Sequence, residues 1–202
     1  MMAPVLDQAL RARIAPALDA AARPLARAGV SPGALTAVGF LAGAGACAAV
    51  AFERWTLALA LWLANRLLDG LDGSVARLRG PTERGGFLDI VADFTVYAGF
   101  VLALAIAVPD ARLACVALLV AYYVSGTAFL AWSSLAERRR AAGGDERSLR
   151  FVGGVAEGAE TVVVYALFCL LPGHVETIAW VFTAAVAVTA LQRVAMAVRL
   201  LD

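Results

Sequence analysis

The chain has 202 residues, of which 62% are hydrophobic, and a mean hydropathy of +0.80, whereas an ordinary soluble domain is about 45–50% apolar. A soluble helical bundle is excluded, because its helices alternate polar and apolar faces while residues 99–108 and 112–121 are apolar nearly all round. The net charge of +1 says little about partners, because in a membrane protein the placement of charge matters more than its sum, and no nucleic-acid partner is expected.

Residues 4–28 place Leu6, Leu10, Ile14, Ala17, Leu18, Ala21 and Leu25 at helical spacing, with Arg11, Arg23 and Asp19 elsewhere on the wheel. This predicts an amphipathic segment in the membrane interface, one or two short helices interrupted by Pro16 and Pro24, the alternative being a cytosolic amphipathic helix packed on the protein. The opening MMAPVLDQALRAR lacks the unbroken apolar core of a signal peptide, so the first span serves as the insertion signal. Ser31-Pro32, a cap followed by proline at the first helical position, then opens that span. Apolar stretches near the ~20 residues needed to cross hydrocarbon follow at 33–52, 55–76, 87–108, 112–136, 154–172 and 175–198. The predicted fold is all-α: residues 1–202 form a single polytopic membrane domain, with an interfacial helix over 4–28 and a six-helix transmembrane bundle over 31–200. Gly39 with Gly43, and Gly154 with Gly158, are spaced for close helix packing. Cys47, Cys115 and Cys169 lie singly within apolar segments and carry no disulfide or thiolate-metal motif.

Two polar connections lie on the same side of such a bundle, residues 78–86 and 137–150. All 17 basic residues are arginine, and with a cytoplasmic N-terminus 13 of them fall in inside segments against Arg54 and Arg112 outside. Because arginine in short loops sets orientation, both termini are expected in the cytoplasm and the number of spans is even.

Span two ends in Asp69-Gly70-Leu71-Asp72-Gly73-Ser74-Val75-Ala76-Arg77, and span three begins Asp89-Ile90-Val91-Ala92-Asp93. Spacings of three and four put each pair of aspartates on one helix face, and a tight connection brings all four to one level of the bundle. Facing lipid, four carboxylates would cost on the order of 10 kcal/mol, so they face inward. Only Arg66 and Arg77 lie close by in sequence to offset them, and two divalent ions would balance the four carboxylates. Oxygen ligands without His or Cys suit Mg²⁺, Mn²⁺ or Ca²⁺. Gly70, Gly73 and Ala76 form a stripe without bulk beside the acids, and Arg77 supplies a fork for phosphate oxygens. Together these features point to a diphosphate ligand and phosphoryl transfer, which needs positioning and charge neutralisation more than covalent help.

The stretch reads Asp-x2-Asp-Gly-x2-Ala-Arg-x7-Gly-x3-Asp-x3-Asp, with Asp69, Asp72, Gly73, Ala76, Arg77, Gly85, Asp89 and Asp93 in the fixed places. This resembles the signature of the CDP-alcohol phosphotransferase (CDP-alcohol phosphatidyltransferase) family. Ser31-Pro32 and Leu35-Thr36 resemble the family's opening, and the chain looks most like its small bacterial inner-membrane members. The resemblance implies metal-dependent transfer of a phosphoalcohol, foremost a phosphatidyl group from CDP-diacylglycerol, to an alcohol hydroxyl with release of CMP in phospholipid biosynthesis. By position, Asp69, Asp72, Asp89 and Asp93 would hold two Mg²⁺ or Mn²⁺ ions, with Asp93 also the catalytic base. Asp69, Gly73, Ala76 and Arg77 would bind the CDP donor. It further implies an inner-membrane location, an active site on the cytoplasmic side and a homodimer. Two positions depart from the common pattern: Phe94 follows the last aspartate where a basic residue is usual, and Gly33 stands in place of an asparagine.

Two other activities share parts of this pattern. Transfer from CDP-choline or CDP-ethanolamine to diacylglycerol uses the same chemistry. A divalent-cation transporter would spread its acids over mid-membrane positions of several helices rather than cluster them at one end. Finally, Glu157 and Glu160, at i,i+3 near the start of span five, with Arg150 just before them, are expected either to pair with loop arginines or to line the acceptor site. Carboxylates there would favour an uncharged polyol or amino alcohol over a phosphorylated acceptor.

Overall fold

The computed structural model describes residues 6–141 and 158–201, and all regular structure within them is helical. Seven helices follow in order: α1 (Leu6–Arg27), α2 (Pro32–Ala51), α3 (Trp55–Arg79), α4 (Glu83–Ala107), α5 (Arg112–Ala141), α6 (Gly158–Leu170) and α7 (Val175–Leu201). Short 3₁₀ turns at Pro109–Ala111 and Pro172–His174 lead into α5 and α7.

Among the described residues, four stretches are long and apolar enough to cross a membrane: Pro32–Ala51, Glu83–Ala107, Pro109–Arg138 and Pro172–Leu200. Of the six expected spans, the second corresponds to α3, which has 25 residues but carries Arg66, Asp69 and Asp72 in its middle. Charge, not length, sets it apart. The fifth corresponds to α6, a 13-residue apolar helix, and the expected start of that span at 154 lies outside the described residues.

Helix boundaries follow the local chemistry. Ser31 caps α2 by accepting the Ala34 amide at 3.2 Å, with Pro32 at the first helical position. α3 runs to Arg79, and Gly80 (φ 96°) turns the chain in the left-handed region that favours glycine. Thr82 then caps α4 by accepting the Gly85 amide at 3.1 Å. The connection is therefore shorter than residues 78–86, because α4 starts before the expected position and takes Gly85 and Gly86 into its first turns. In α1, Pro16 and Pro24 lie inside one helix rather than dividing it. Burial of Ala22 and packing on α3 supply tertiary support for a helix that proline weakens.

The main core sits among α2, α3, α4, α5, α6 and α7, around Trp62, Phe100, Tyr165 and Phe168. Tyr165 stacks 4.8 Å from Trp62 and 4.6 Å from Phe100. Buried aromatic polar atoms need partners, and here they cross-link helices: Trp62 Nε1 donates to the Val162 carbonyl at 3.1 Å, and the Tyr165 hydroxyl to the Tyr97 carbonyl at 3.0 Å. These two bonds tie α6 to α3 and to α4.

The Gly39 and Gly43 pair packs α2 onto α3 and α4, as its spacing suggested. Asn65 Nδ2 donates to the Gly39 carbonyl at 2.8 Å, and a Cβ on Gly43 would lie 2.6 Å from Val96 Cγ2. Gly154 of the second pair lies outside the described residues. Gly43→Ala should accordingly cost about 1–3 kcal/mol, because Val96 is branched at Cβ and cannot swing aside. Gly33→Ala, whose added Cβ meets nothing within 4 Å, serves as the control. Thermal unfolding in detergent should show a lower midpoint for Gly43→Ala alone, and equal midpoints would contradict the close approach.

Candidate functional site

The Gly80 to Thr82 turn sets the register of the site. It places the C-terminal half of α3, bearing Asp69 and Asp72, beside the first turns of α4, bearing Asp89 and Asp93. One carboxylate oxygen from each of Asp69, Asp72 and Asp89 lies within 4.8 Å of the others, the single grouping of this kind among the described residues. Asp72 is buried and the other two are half-buried. From α2, the Thr36 hydroxyl donates to Asp72 Oδ2 at 2.8 Å, which orients that carboxylate against its neighbours.

Asp93 borders the same cavity but its carboxylate is engaged differently. Arg66, with only 9% of its side chain exposed, donates from Nη2 to Asp93 Oδ1 at 2.6 Å and from Nη1 to Asp69 Oδ2 at 3.5 Å. Its Nη1 also donates to the Tyr97 hydroxyl at 2.8 Å, and its Nε to Asn65 Oδ1 at 2.8 Å. The guanidinium lies 4.9 Å from the Trp62 ring and 5.0 Å from the Tyr97 ring. A buried charge with this many donors satisfied is both neutralised and fixed in place.

A cavity of about 600 Å³ opens over the four aspartates. Arg66, Arg77, Gly70, Gly73 and Tyr97 line its polar part. Its apolar walls come from Ile14, Ala15 and Leu18 of α1, Leu67 of α3, and Ala159, Val162 and Val163 of α6. A polar floor with an apolar flank between helices is the form of site that accepts an amphiphile.

At the rim, Arg77 donates from Nη2 to Asp19 Oδ1 of α1 at 2.9 Å and to Ser74 Oγ at 2.8 Å. The Arg77 guanidinium, helped by the Ser74 hydroxyl, holds Asp19 below the usual carboxylate range. Arg77 itself is 61% exposed, so its charge is open to a ligand.

The small-residue stripe is only partly a ligand surface. A Cβ at Gly70 would meet Leu18 Cδ1 at 2.9 Å, so Gly70 gives room to α1 as well as bordering the cavity. At Gly73 the nearest atom to an added Cβ is Arg77 Nη1 at 3.7 Å, which leaves that part of the stripe open. Ala76 is half-buried and is not among the lining residues, and Gly85 serves the α4 cap. Glu160 is half-buried in the first turn of α6, beside the lining residues Gly158 and Ala159. Glu157 and Arg150 lie outside the described residues.

Thr36, Asn65, Arg66 and Tyr97 are the additions that the geometry makes to the site. The sequence offered Thr36 within the opening motif and Arg66 as a nearby cation, but nothing in spacing revealed that Arg66 crosses to Asp93 on the next helix.

The donor set suits a hard divalent cation: three carboxylates converge with no nitrogen or sulfur ligand, and Arg66 offsets only part of the negative charge.

Comparison with known proteins agrees with this arrangement. A family model for CDP-alcohol phosphatidyltransferase matches residues 30–192. Inner membrane protein YnjF of Escherichia coli is 40% identical over 196 residues, covering 94% of each chain. Among solved structures, Mycobacterium tuberculosis phosphatidylinositol phosphate synthase (PgsA1) shares the fold. Its complex with manganese and citrate superposes with a TM-score of 0.70 at 24% identity, over 89% of this chain and 88% of that one. Its structure with CDP-DAG bound gives 0.68 at 24% identity, over 89% and 92%.

Proposed function

We propose that this chain, which belongs to the CDP-alcohol phosphatidyltransferase family and is a transferase of that family, moves a phosphatidyl group from CDP-diacylglycerol to the hydroxyl of a small alcohol. The observation that carries this reading is the convergence of three carboxylates beneath a cavity that is polar at its floor and apolar along α1 and α6. The CDP-DAG-bound neighbour supports the donor class, and the manganese complex supports the metal.

In this reading Asp69, Asp72 and Asp89 would hold Mg²⁺ or Mn²⁺, and Asp93 would help to hold a second ion. Bound there, the ions would draw charge from the diphosphate and so ease departure of CMP. Arg77 forks onto diphosphate oxygens at the rim, while Gly73 lets the donor lie close against α3. Asp69 takes part in holding the donor as well, and Ala76 keeps the path beside it small. Asp93 accepts the proton of the acceptor hydroxyl. The acceptor oxygen then forms a bond to the phosphorus that carries diacylglycerol, and the bond from that phosphorus to the bridging oxygen breaks, releasing CMP. Diacylglycerol chains fit the wall formed by Leu67, Val162 and Val163.

The acceptor is an uncharged polyol or amino alcohol, since Glu160 in the first turn of α6 and Glu157, three positions earlier in the sequence, add negative charge, with Arg150 as a further acceptor-binding residue. Six spans, with α3 and α6 crossing beside the four apolar stretches, and an interfacial α1 complete one domain of residues 1–202. Both termini and the site face the cytoplasm, supported by the arginine asymmetry. A homodimer in the inner membrane is the assembly.

Purified protein with CDP-diacylglycerol and a panel of alcohols should release CMP only with Mg²⁺ or Mn²⁺. Uncharged polyols or amino alcohols should be the best acceptors. Full turnover in excess chelator would sink the metal assignment, and a phosphorylated alcohol as best substrate would sink the acceptor assignment. For orientation, a cysteine at Gly144 in a background without native cysteines should be labelled from the cytoplasmic side. Labelling from outside intact cells would reverse the topology.

A further inference from the structure

Arg66 lies outside the eight positions of the family signature, yet it is the most heavily engaged side chain of the site. An arginine in the middle of a membrane helix is expensive and calls for a reason. Bulk neutralisation alone would be served by any cation near the cluster, with no demand on its geometry. The observed geometry is far more restrictive.

Each guanidinium nitrogen has an assigned partner: Nε reaches Asn65 Oδ1, Nη1 reaches the Tyr97 hydroxyl and Asp69, and Nη2 reaches Asp93 Oδ1. Asn65 is itself anchored by its Nδ2 bond to the Gly39 carbonyl on α2. Trp62 and Tyr97 close on the guanidinium, and Trp62 is held through its indole bond to α6. The planar group therefore has one orientation available, and the oxygen it grips at 2.6 Å inherits that restriction. Among the described residues, Oδ1 is the Asp93 oxygen so held, which leaves Oδ2 for another partner at the cavity.

We propose that Arg66 is a positioning residue for transfer, fixing the Asp93 carboxylate so that its second oxygen meets the acceptor hydroxyl. This inference rests on the reading of Asp93 as the base. Arg66 acts through Asp93 and touches no reacting atom. Its rigid fork is what matters, so lysine, with a point charge on a flexible stem, is not an equivalent.

The test uses full-length protein in detergent or nanodiscs, with CDP-diacylglycerol and the best acceptor from the panel. Arg66→Lys should lower kcat by about 10- to 100-fold, the loss expected for one charge-assisted hydrogen bond. KM for CDP-diacylglycerol should stay within about threefold, because Arg77 and Gly73 carry donor binding. Mn²⁺ titration should give an affinity within about threefold of the parent, since Asp72 and Asp89 have no bond to Arg66 and Asp69 has only the long one of 3.5 Å, whose charge lysine retains. Arg66→Gln, which retains neither charge nor fork, should lose at least as much kcat, so lysine gives partial rescue at most. In an Asp93→Asn background, adding Arg66→Lys should cost little more, because both changes disable one unit.

Full kcat in Arg66→Lys, multiplicative losses in the double variant, or a Mn²⁺ affinity that falls with kcat would overturn the proposal. Failure of both Arg66 variants to fold would do so too, leaving a purely structural role. If Asp93→Asn itself turns over normally, the base assignment is wrong. If that variant is inactive while Arg66→Lys is normal, only the present inference falls.

Discussion

Like charges held together in an apolar bundle repel strongly, and that repulsion governs the design of this protein. Asp69, Asp72, Asp89 and Asp93 border one cavity, and each would be costly in hydrocarbon without a counter-charge or a donor. The surrounding structure supplies these selectively. Arg66 takes Asp93 and touches Asp69, and Thr36 donates to Asp72. What remains is a compact group of three carboxylates whose negative charge is only partly met by the protein. A centre so left is disposed to bind divalent cation.

The same constraint explains the packing around the site. Arg66 can lie buried because Trp62 and Tyr97 flank it, and those rings belong to an aromatic core that Tyr165 and Phe100 extend. Gly43 brings α2 close enough to α4 for Val96 to fill its missing side chain, while Asn65 bonds Gly39 one turn away. α1 then covers the open side of α3, with Leu18 against Gly70 and Asp19 holding Arg77 at the rim. Fold and site are thus one network, from the α2 backbone through Asn65 and Arg66 to Asp93.

Much of this was legible in the sequence because it depends on short-range spacing. The i,i+3 and i,i+4 aspartates, the Ser31-Pro32 cap and the small-residue packing of α2 all follow from helical periodicity, and the structure has them in place. The start of α4 is less legible, because residues 78–86 are polar and contain Pro81, Gly85 and Gly86, whereas the Thr82 cap lets the helix begin at Glu83. Prolines at 16 and 24 weaken a helix locally, but tertiary packing on α3 decides the outcome for α1. The cross-helix bond from Arg66 to Asp93 spans 27 positions and depends on a rotamer set by two rings. No periodic pattern encodes such a contact, which is why the sequence showed a nearby cation and not its partner.

The proposed transfer depends on a divalent ion held by Asp69, Asp72 and Asp89. Anomalous diffraction from crystals of the protein grown with Mn²⁺ tests it most directly, because the signal reports the ion's position independently of activity. A peak is expected in coordinating contact with one oxygen from each of those three residues, and it should be lost in Asp89→Asn crystals. Full Mn²⁺ occupancy at some other place, with none between these carboxylates, would contradict it.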